Sequence, residues 1–137
     1  MTIEYKLEKG IADADLRPLY ESAGWTSYTE KFPDLQVLLA PCQIVYSAWD
    51  GQQLVGLIRC VGDGVSIQYV QDLLVLPAYQ GKGIGTRLLK YVMEQSRDIR
   101  QFVLITDGSP ANQPILEWYA HLGLTPFETR HIKGLLR

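Results

Sequence analysis

The sequence predicts one α/β domain over residues 1–137, built on a mixed β-sheet. Three observations support this prediction. Turns at Asp50-Gly51 and at "GDG" 62–64 separate three apolar runs, which indicates three consecutive antiparallel strands. The third run leads into the glycine-rich stretch "PAYQGKGIG" and then into a segment with the apolar period of a helix. Another apolar run and another helical segment follow, and this order is typical of an α/β fold.

The N-terminal part is predicted to hold one strand and two helical segments. "TIEYKL" alternates apolar and polar residues, as a strand with one buried face does. Asp13 is a candidate N-cap for a helix that carries Leu16 and Leu19 on its apolar face and stops at Gly24. A second helical segment is predicted around residues 35–39.

The central and C-terminal elements follow from the same patterns. "QIVYSAW", "QLVGLIRCV" and "VSIQYVQDLLVL" are the three predicted strands of the two hairpins. A buried strand is expected at 102–106. The last helix is predicted from about Pro114 to Leu122, with one or two further strands from Leu124 onward. The helix after the glycines has one apolar stripe, formed by Ile84, Leu88, Leu89, Val92 and Met93.

The composition excludes several classes of protein. A net charge of -2 and a pI near 5.6 give no electrostatic reason to expect nucleic acid or an anionic membrane as a partner. No apolar run approaches the ~20 residues of a membrane span, and "MTIEYKLEKG" lacks the apolar core of a signal peptide, so a cytoplasmic protein is expected. Cys42 and Cys60 are expected to be buried and reduced, and His121 and His131 have no cluster of partners, so no metal site is predicted.

The stretch "PAYQGKGIG" at 77–85 has three glycines at every second position, between a predicted strand and a predicted helix. Such a loop presents unpaired backbone N–H groups and the positive end of a helix dipole, which together favour a phosphate. A P-loop is excluded because no lysine followed by Ser or Thr stands after the glycines. A dinucleotide-binding fingerprint is excluded because Thr86 and Leu88 occupy the positions where its third glycine would fall.

The remaining pattern is Gln80-x-x-Gly83-x-Gly85, preceded by Val75-x-Pro77. The segment "LLVLPAYQGKGIGTRLL" resembles the acetyl-CoA-binding signature Q/R-x-x-G-x-G/A of the GCN5-related N-acetyltransferase (GNAT) superfamily. The order of strand, signature, helix, strand and helix matches that family over nearly the whole chain. The resemblance implies a single N-acetyltransferase domain with a GNAT-like fold, in which the central sheet splays between the fourth and fifth strands and helices cover both faces.

The resemblance implies acetyl-CoA as the cosubstrate, without a metal, and the residues suit that ligand. Backbone N–H groups at the start of the helix can hold the pyrophosphate, and the amides of the pantetheine arm can pair with the strand edge at the splay. One backbone N–H there can donate to the thioester carbonyl oxygen, whose charge grows as an amine attacks. The residues expected to bind acetyl-CoA are Leu73, Leu74, Val75, Gln80, Gly81, Lys82, Gly83, Ile84, Gly85, Thr86 and Asn112.

The segment "ANQPILEWYAHLGLTPF" carries the second part of the resemblance. Similar proteins have an asparagine before the last helix and often F-Y-x-x-x-G-F on it, which here correspond to Asn112 and "WYAHLGL". The resemblance implies that Tyr119 is the general acid that protonates the departing thiolate. Periodicity alone leaves the alternative that Tyr119 packs in the core with Ile115 and Leu116. For Asn112, the alternative to a pantetheine contact is a helix N-cap.

Two aspartates are candidates for the base that takes a proton from the attacking amine. Asp72 lies on the central predicted strand and Asp107 at the end of the next one, so both are expected at the splay. Either residue can instead be a capping or turn aspartate. A covalent route through Cys60 is disfavoured because Cys60 belongs to a different predicted strand.

In the family, the variable N-terminal helices and the loop between them bind the acceptor. Here that stretch is "ESAGWTSYTEKFPDL", and Trp25, Tyr28 and Phe32 are the expected substrate-binding residues, since aromatic faces attract cations. The alternative is that Trp25 and Phe32 anchor the helices to the sheet.

The function expected from this resemblance is transfer of an acetyl group from acetyl-CoA to a primary amine, by direct attack in a ternary complex. A small-molecule amine is favoured as the acceptor. A protein or peptide acceptor and a non-catalytic acetyl-CoA-binding sensor are the alternatives, and the resemblance is compatible with a homodimer.

Overall fold

A computed structural model describes residues 2–137 of the chain. Within that range no helix is both long and apolar enough to cross a lipid bilayer. The chain divides into two compact units, with the boundary between Ile105 and Thr106. The first unit contains β1 (Ile3–Leu7), α1 (Asp13–Ser22), α2 (Thr26–Lys31), α3 (Gln36–Leu39), β2 (Ile44–Asp50), β3 (Gln53–Gly62), β4 (Ile67–Val75), α4 (Ile84–Gln95) and β5 (Gln101–Leu104). The second unit contains α5 (Gln113–His121), flanked by 3-10 turns at Pro110–Asn112 and Phe127–Arg130.

The strands of the first unit form one mixed sheet in the order β1-β2-β3-β4-β5. Strands β1 to β4 are antiparallel neighbours, whereas β4 and β5 run parallel. The turn after β2 holds Gly51 at φ 59°, a left-handed conformation that glycine adopts without strain. The two predicted hairpins and the predicted mixed sheet are therefore confirmed.

Helices α1 and α4 cover opposite faces of this sheet. Leu57 of β3 lies in a buried cluster with Leu16 and Leu19 of α1. The preceding Gly56 faces α4, because a Cβ atom on this glycine would stand 3.0 Å from Ile84 Cγ2. Successive residues of a strand point to opposite faces, so the two helices lie on different sides. Four of the five residues predicted for the apolar stripe of α4 are fully buried.

Asp13 is not the N-cap of α1, contrary to the prediction, but its first helical residue. Its carboxylate accepts hydrogen bonds from Arg17 Nε at 2.9 Å, from Arg17 Nη2 at 2.8 Å and from the Leu35 N–H at 2.7 Å. Arg17 also donates to the carbonyl oxygens of Thr29 at 2.8 Å and Phe32 at 2.9 Å. These charge-assisted hydrogen bonds replace the capping role and join α1 to α2 and α3.

Helix α2 was not predicted as a separate element. It is six residues long, and none of its residues is fully buried. A segment this short shows no apolar period that could announce a helix. Contacts with the rest of the first unit therefore decide its conformation.

The strands predicted from Leu124 onward are absent from the described residues, so this prediction is wrong. Pro126 has no N–H to donate to a strand ladder, and it is followed by the 3-10 turn at Phe127–Arg130. His131 closes that turn with φ 58°, an angle outside the strand region.

Strand β5 is shorter and less buried than the strand that the sequence predicts. The sequence pattern favours a buried strand over 102–106, but β5 ends at Leu104 and its apolar residues are only half-buried. The next residue, Ile105, is 69% exposed. β5 stands last in the strand order and has one strand neighbour, which explains the lower burial.

Candidate functional site

The glycine-rich stretch forms a tight loop between β4 and α4. A 3-10 turn, Pro77–Tyr79, leads into Gly81 and Gly83, whose φ angles are 75° and 85°. These left-handed angles are strained for residues with a Cβ, which explains glycine at both positions. Gly83 is the N-cap of α4, and it supplies no side-chain cap. The uncapped N–H groups and the helix dipole make the start of α4 suited to an anion.

Two side chains fasten this loop. Gln80 Nε2 donates to the Val75 carbonyl oxygen at 3.0 Å, and Tyr79 Oη donates to Asp50 Oδ2 at 2.6 Å. The Gln80 amide, predicted to bind acetyl-CoA, thus joins the middle of the loop to the end of β4. Lys82 is exposed in the same loop. The loop therefore combines a fixed backbone with one exposed positive charge.

Strand β4 extends beyond its parallel partner. Its pairing with β5 covers only residues 67–70, whereas β4 continues to Val75. Over 71–75, the edge of β4 that faces away from β3 has no strand partner among residues 2–137. This gap is the predicted splay between the fourth and fifth strands, and it contains the predicted cofactor residues Leu73, Leu74 and Val75. A ligand with amide groups can pair with such an edge.

A β-bulge lies at the start of the splay. Arg59 of β3 pairs with Asp72, but its neighbour Cys60 pairs with Val70, so Gln71 has no residue opposite it. A bulge redirects the side chains beside it and is frequent next to active sites. The side chains at positions 71 and 72 both bond to tyrosines of the N-terminal helices.

Asp72 is buried in a polar network. It is 3% exposed, and its Oδ2 accepts from Arg59 Nε and, at 2.8 Å, from Tyr20 Oη. Burial and the adjacent Asp72 charge raise the pKa of the Tyr20 hydroxyl, which therefore stays protonated as a donor. Arg59 compensates the charge of Asp72, as a buried carboxylate requires. These contacts give Asp72 a structural role, and its role as the base stays a prediction.

The predicted acceptor residues Trp25, Tyr28 and Phe32 lie on and around α2. Tyr28 and Phe32 are partly buried against the hydrophobic core, and Tyr28 meets the Tyr20 ring edge-on at 5.7 Å. Trp25 is 39% exposed and tilts against Tyr20 with ring centroids 6.4 Å apart. The anchoring alternative therefore fits Phe32, and Tyr28 packs in the same way, whereas Trp25 retains exposed surface that a ligand can contact.

In the second unit, Asn112 and Asp107 belong to one hydrogen-bonded turn. Asn112 Nδ2 donates to the Asp107 carbonyl oxygen and, at 3.3 Å, to Thr106 Oγ1. The Asp107 carboxylate accepts from the Ser109 N–H and Oγ, both at 2.8 Å, and these bonds hold its pKa below the ordinary value. Asn112 occupies the N-cap position of α5 without a side-chain capping bond. Asp107 therefore has the geometry of a turn aspartate, which was the alternative to a catalytic role. The role of Asp107 as the base stays a prediction.

Tyr119 lies on α5 beside Trp118, with ring centroids 4.9 Å apart. Tyr119 is only half-buried, and no residue of α5 is fully buried. Burial nevertheless raises the pKa of the Tyr119 hydroxyl above its ordinary value. The hydroxyl is therefore protonated at neutral pH, as a general acid must be.

Both cysteines are inaccessible, and this leads to a first testable prediction. Cys60 is 0% exposed and Cys42 is 1% exposed. Burial raises the pKa of the Cys60 thiol to about 12, so at pH 8 only about one molecule in 10⁴ holds the reactive thiolate. We expect a chromogenic disulfide reagent to modify neither thiol of the folded protein at pH 8 and both thiols in urea. Rapid labelling of the folded protein, with parallel loss of turnover, would support the covalent route through Cys60.

Arg59 and Gln71 are candidate site residues that the sequence analysis missed. Gln71 follows no recognisable motif. Arg59 offers one signal, a charged residue within the otherwise apolar strand "QLVGLIRCV", because a charge inside a buried strand requires a partner. The sequence does not reveal that this partner is Asp72.

Comparison with known proteins agrees with this geometry. A protein-family model described as "Acetyltransferase (GNAT) family" matches residues 10–124 of this chain. A solved structure of a GNAT family acetyltransferase from Streptococcus pneumoniae TIGR4 is similar, with a TM-score of 0.85 and 34% sequence identity. The match covers 99% of this chain and 97% of that chain.

Curated relatives extend beyond the matched region. An uncharacterized ycf52-like N-acetyltransferase of Prochlorococcus marinus is 29% identical over 117 residues, which are 81% of this chain and 61% of that protein. A histone acetyltransferase of Glycine max is 30% identical over 86 residues, which are 61% of this chain and 35% of that protein. The chain thus spans less than two thirds of the length of these relatives. The family match over residues 10–124 and the likeness of the solved structure show that the chain belongs to the GNAT acetyltransferase family.

Proposed function

We propose that this protein is an N-acetyltransferase that moves the acetyl group of acetyl-CoA to a primary amine, by direct attack in a ternary complex. One observation carries the proposal. Within the first unit, an uncapped helix start behind two left-handed glycines follows directly on a strand with an unpaired edge. The helix start suits a pyrophosphate and the strand edge suits a chain of amides, and acetyl-CoA contains both.

The cofactor roles follow from these two features. The pyrophosphate accepts hydrogen bonds from the N–H groups of residues 81–86, and the exposed Lys82 adds positive charge. The pantetheine arm pairs its amides with the edge of β4 at Leu73, Leu74 and Val75. For Asn112, in the second unit, the role of a pantetheine contact is carried over from the family resemblance alone. A backbone N–H of this edge donates to the thioester carbonyl oxygen. That bond strengthens as the oxygen becomes negative, so it stabilises the transition state more than the bound substrate.

The reaction forms one C–N bond and breaks one C–S bond. The neutral amine attacks the thioester carbon, and collapse of the tetrahedral intermediate expels the thiolate of coenzyme A. Tyr119 donates its phenolic proton to that thiolate and is reprotonated from solvent. The raised pKa of Tyr119 keeps the proton on the hydroxyl until the thiolate develops, so a hydrogen bond to the leaving sulfur precedes the proton transfer.

We assign to Asp107 the role of general base: its carboxylate accepts the proton that the nitrogen of the attacking amine must lose. It is exposed, whereas Oδ2 of the buried Asp72 already accepts two hydrogen bonds. Because Ser109 lowers the pKa of Asp107, the carboxylate is a weak base and its contribution is modest.

We expect Asp107→Asn to lower kcat/KM by about tenfold at neutral pH, less than the roughly 10²–10⁴-fold that a general base typically contributes, because the lowered pKa of Asp107 makes it a weak base. The turn should persist, because the Asn side-chain oxygen can still accept from the Ser109 N–H. The rate of thiol release, measured from pH 6 to pH 9, checks this expectation. An unchanged rate across the whole range would assign the proton to water instead.

A small-molecule amine is the acceptor that the proposal favours, because Trp25 and Tyr28 offer aromatic faces and a hydroxyl around one short helix. A protein or peptide acceptor is the second candidate. It is favoured by the Glycine max relative, which is described as a histone acetyltransferase. A non-catalytic acetyl-CoA sensor is the third candidate.

The proposal is tested by calorimetric titration with acetyl-CoA, followed by a thiol-release assay with tyramine, spermidine and Nα-acetyl-lysine amide. A dissociation constant in the micromolar range, about -8 kcal/mol, is expected together with thiol release on one of these amines. Binding without release on any amine, or on a mixture of histone-tail peptides, would favour the sensor. Absence of binding would overturn the assignment of the loop.

A further inference from the structure

We infer that Arg59 is a positioning residue for the acceptor, because it holds the Tyr28 hydroxyl against the bulge at Gln71. The inference rests on the proposed function, since it concerns the acceptor side of the same site. It differs from a binding role for Tyr28 alone, because it assigns the orientation of that side chain to a buried arginine of the sheet.

The Arg59 guanidinium uses its donors on three separate elements. Its Nε donates to Asp72 on β4, and its Nη1 donates to the Leu38 carbonyl oxygen of α3 at 3.3 Å. Its Nη2 donates to Tyr28 Oη of α2 at 3.5 Å, and its Cζ lies 5.6 Å from the centroid of the Tyr28 ring. Arg59 is 6% exposed. A planar guanidinium held by a buried carboxylate has a fixed orientation, so it can fix its remaining partners.

The helix that carries Tyr28 depends on such polar contacts. No residue of α2 is fully buried, so apolar packing alone holds it weakly. Arg17 fastens the C-terminal end of α2 through the Thr29 carbonyl oxygen at 2.8 Å. On the sheet side, the Tyr28 hydroxyl meets Arg59 and Gln71. Beside the packing of Tyr28 on the core, the two arginines therefore fix the position of α2 relative to β4.

The hydrogen-bond pattern leaves the Tyr28 hydroxyl hydrogen for a ligand. Gln71 Nε2 donates to Tyr28 Oη at 3.3 Å, and Arg59 Nη2 donates to the same oxygen. A phenolic oxygen that accepts two hydrogen bonds retains one O–H to donate. That donor suits an oxygen or an uncharged nitrogen of the acceptor, and the bulge at Gln71 places it at the start of the splay.

A double-mutant cycle of Arg59→Lys and Tyr28→Phe tests the inference. Lysine keeps a positive charge beside Asp72 but lacks the planar fork that reaches three elements. Each single variant is expected to raise KM for the amine by about fivefold, the effect of one lost hydrogen bond, while the dissociation constant of acetyl-CoA changes by less than about twofold. If Arg59 acts through Tyr28, the KM of the double variant for the amine should not exceed that of the single variant with the higher KM.

Tyr91→Phe is the matched control, since it removes a tyrosine hydroxyl from α4 rather than from α2. Amide hydrogen exchange over residues 26–31 gives a readout that needs no turnover. Exchange there should be faster in both single variants than in the wild type, and unchanged in Tyr91→Phe.

The outcomes separate the two proposals. Additive effects on KM, or unchanged exchange in α2, would overturn the role of Arg59. A wild-type protein that binds acetyl-CoA but acetylates no amine would overturn the catalytic function, and the exchange measurement alone would then decide whether Arg59 positions α2. Where Arg59→Lys fails to fold, as circular dichroism would show, the milder Tyr28→Phe still tests whether the contact holds the helix.

Discussion

Tyr119→Phe is expected to lower kcat by about 10²-fold or more while leaving the affinity for acetyl-CoA unchanged. The change removes only the hydroxyl, which the proposed mechanism uses to protonate the departing thiolate. The phenylalanine ring can keep its contact with Trp118, so α5 should remain folded. Single-turnover measurements of thiol release give the rate, and calorimetry gives the affinity.

The control for this variant is again Tyr91→Phe, which removes a tyrosine hydroxyl outside the proposed catalytic group. Burial raises the pKa of Tyr119 above its ordinary value, so no loss of wild-type rate from its ionisation is expected between pH 7 and pH 9. Equal turnover of Tyr119→Phe and the wild type would remove Tyr119 from the mechanism. It would also return the packing alternative to first place.

Gly83→Asp is expected to weaken acetyl-CoA binding by well over tenfold, more than about 1.4 kcal/mol. The substitution has two effects, one on stability and one on affinity. Gly83 has φ 85°, an angle that costs roughly 1–2 kcal/mol of folding stability for a residue with a Cβ. The carboxylate would place a negative charge at the N-terminus of α4, where it would repel the pyrophosphate that is proposed to bind there. Calorimetric titration with acetyl-CoA measures the loss of affinity, and thermal unfolding measures the loss of stability.

Gly83→Asn separates these effects. Asparagine has nearly the same shape as aspartate, carries no charge and tolerates left-handed angles better than most residues. A Cβ at Gly83 would meet no other atom within 4 Å, so the Cβ of either variant finds open space. The asparagine variant should therefore bind acetyl-CoA clearly better than the aspartate variant. Equal affinities of both folded variants and the wild type would show that the loop does not hold the pyrophosphate.

The sequence correctly predicted those elements whose conformation depends on residues close to one another along the chain. The turn at Gly51 and the loop at Gly81 and Gly83 need left-handed backbone, and only glycine adopts it freely. The buried stripe of α4 follows from a helical apolar period over twelve residues. These features depend on residues a few positions apart, so they can be read without knowledge of the fold.

The incorrect predictions share a different cause. Asp13 was expected to cap its own helix, but Arg17 and the N–H of Leu35 compete for its carboxylate. The strands predicted after Leu124 rested on local pattern alone, while a strand needs a partner that can exchange hydrogen bonds with it. The presence of a partner depends on the whole fold, which local pattern does not report.

The sequence by itself predicted the two hairpins and the loop suited to a pyrophosphate, because these depend on short spacings, and its resemblance to the GNAT family predicted the splay between β4 and β5. Only the tertiary structure decided which polar groups meet inside the first unit. Arg59 and Asp72 are 13 positions apart, and Tyr20 and Asp72 are 52 positions apart. Burial removes water from these groups, so each charge or hydroxyl must find a partner within the folded chain. That requirement, rather than any local preference, placed Asp72 beside Arg59 and Tyr20.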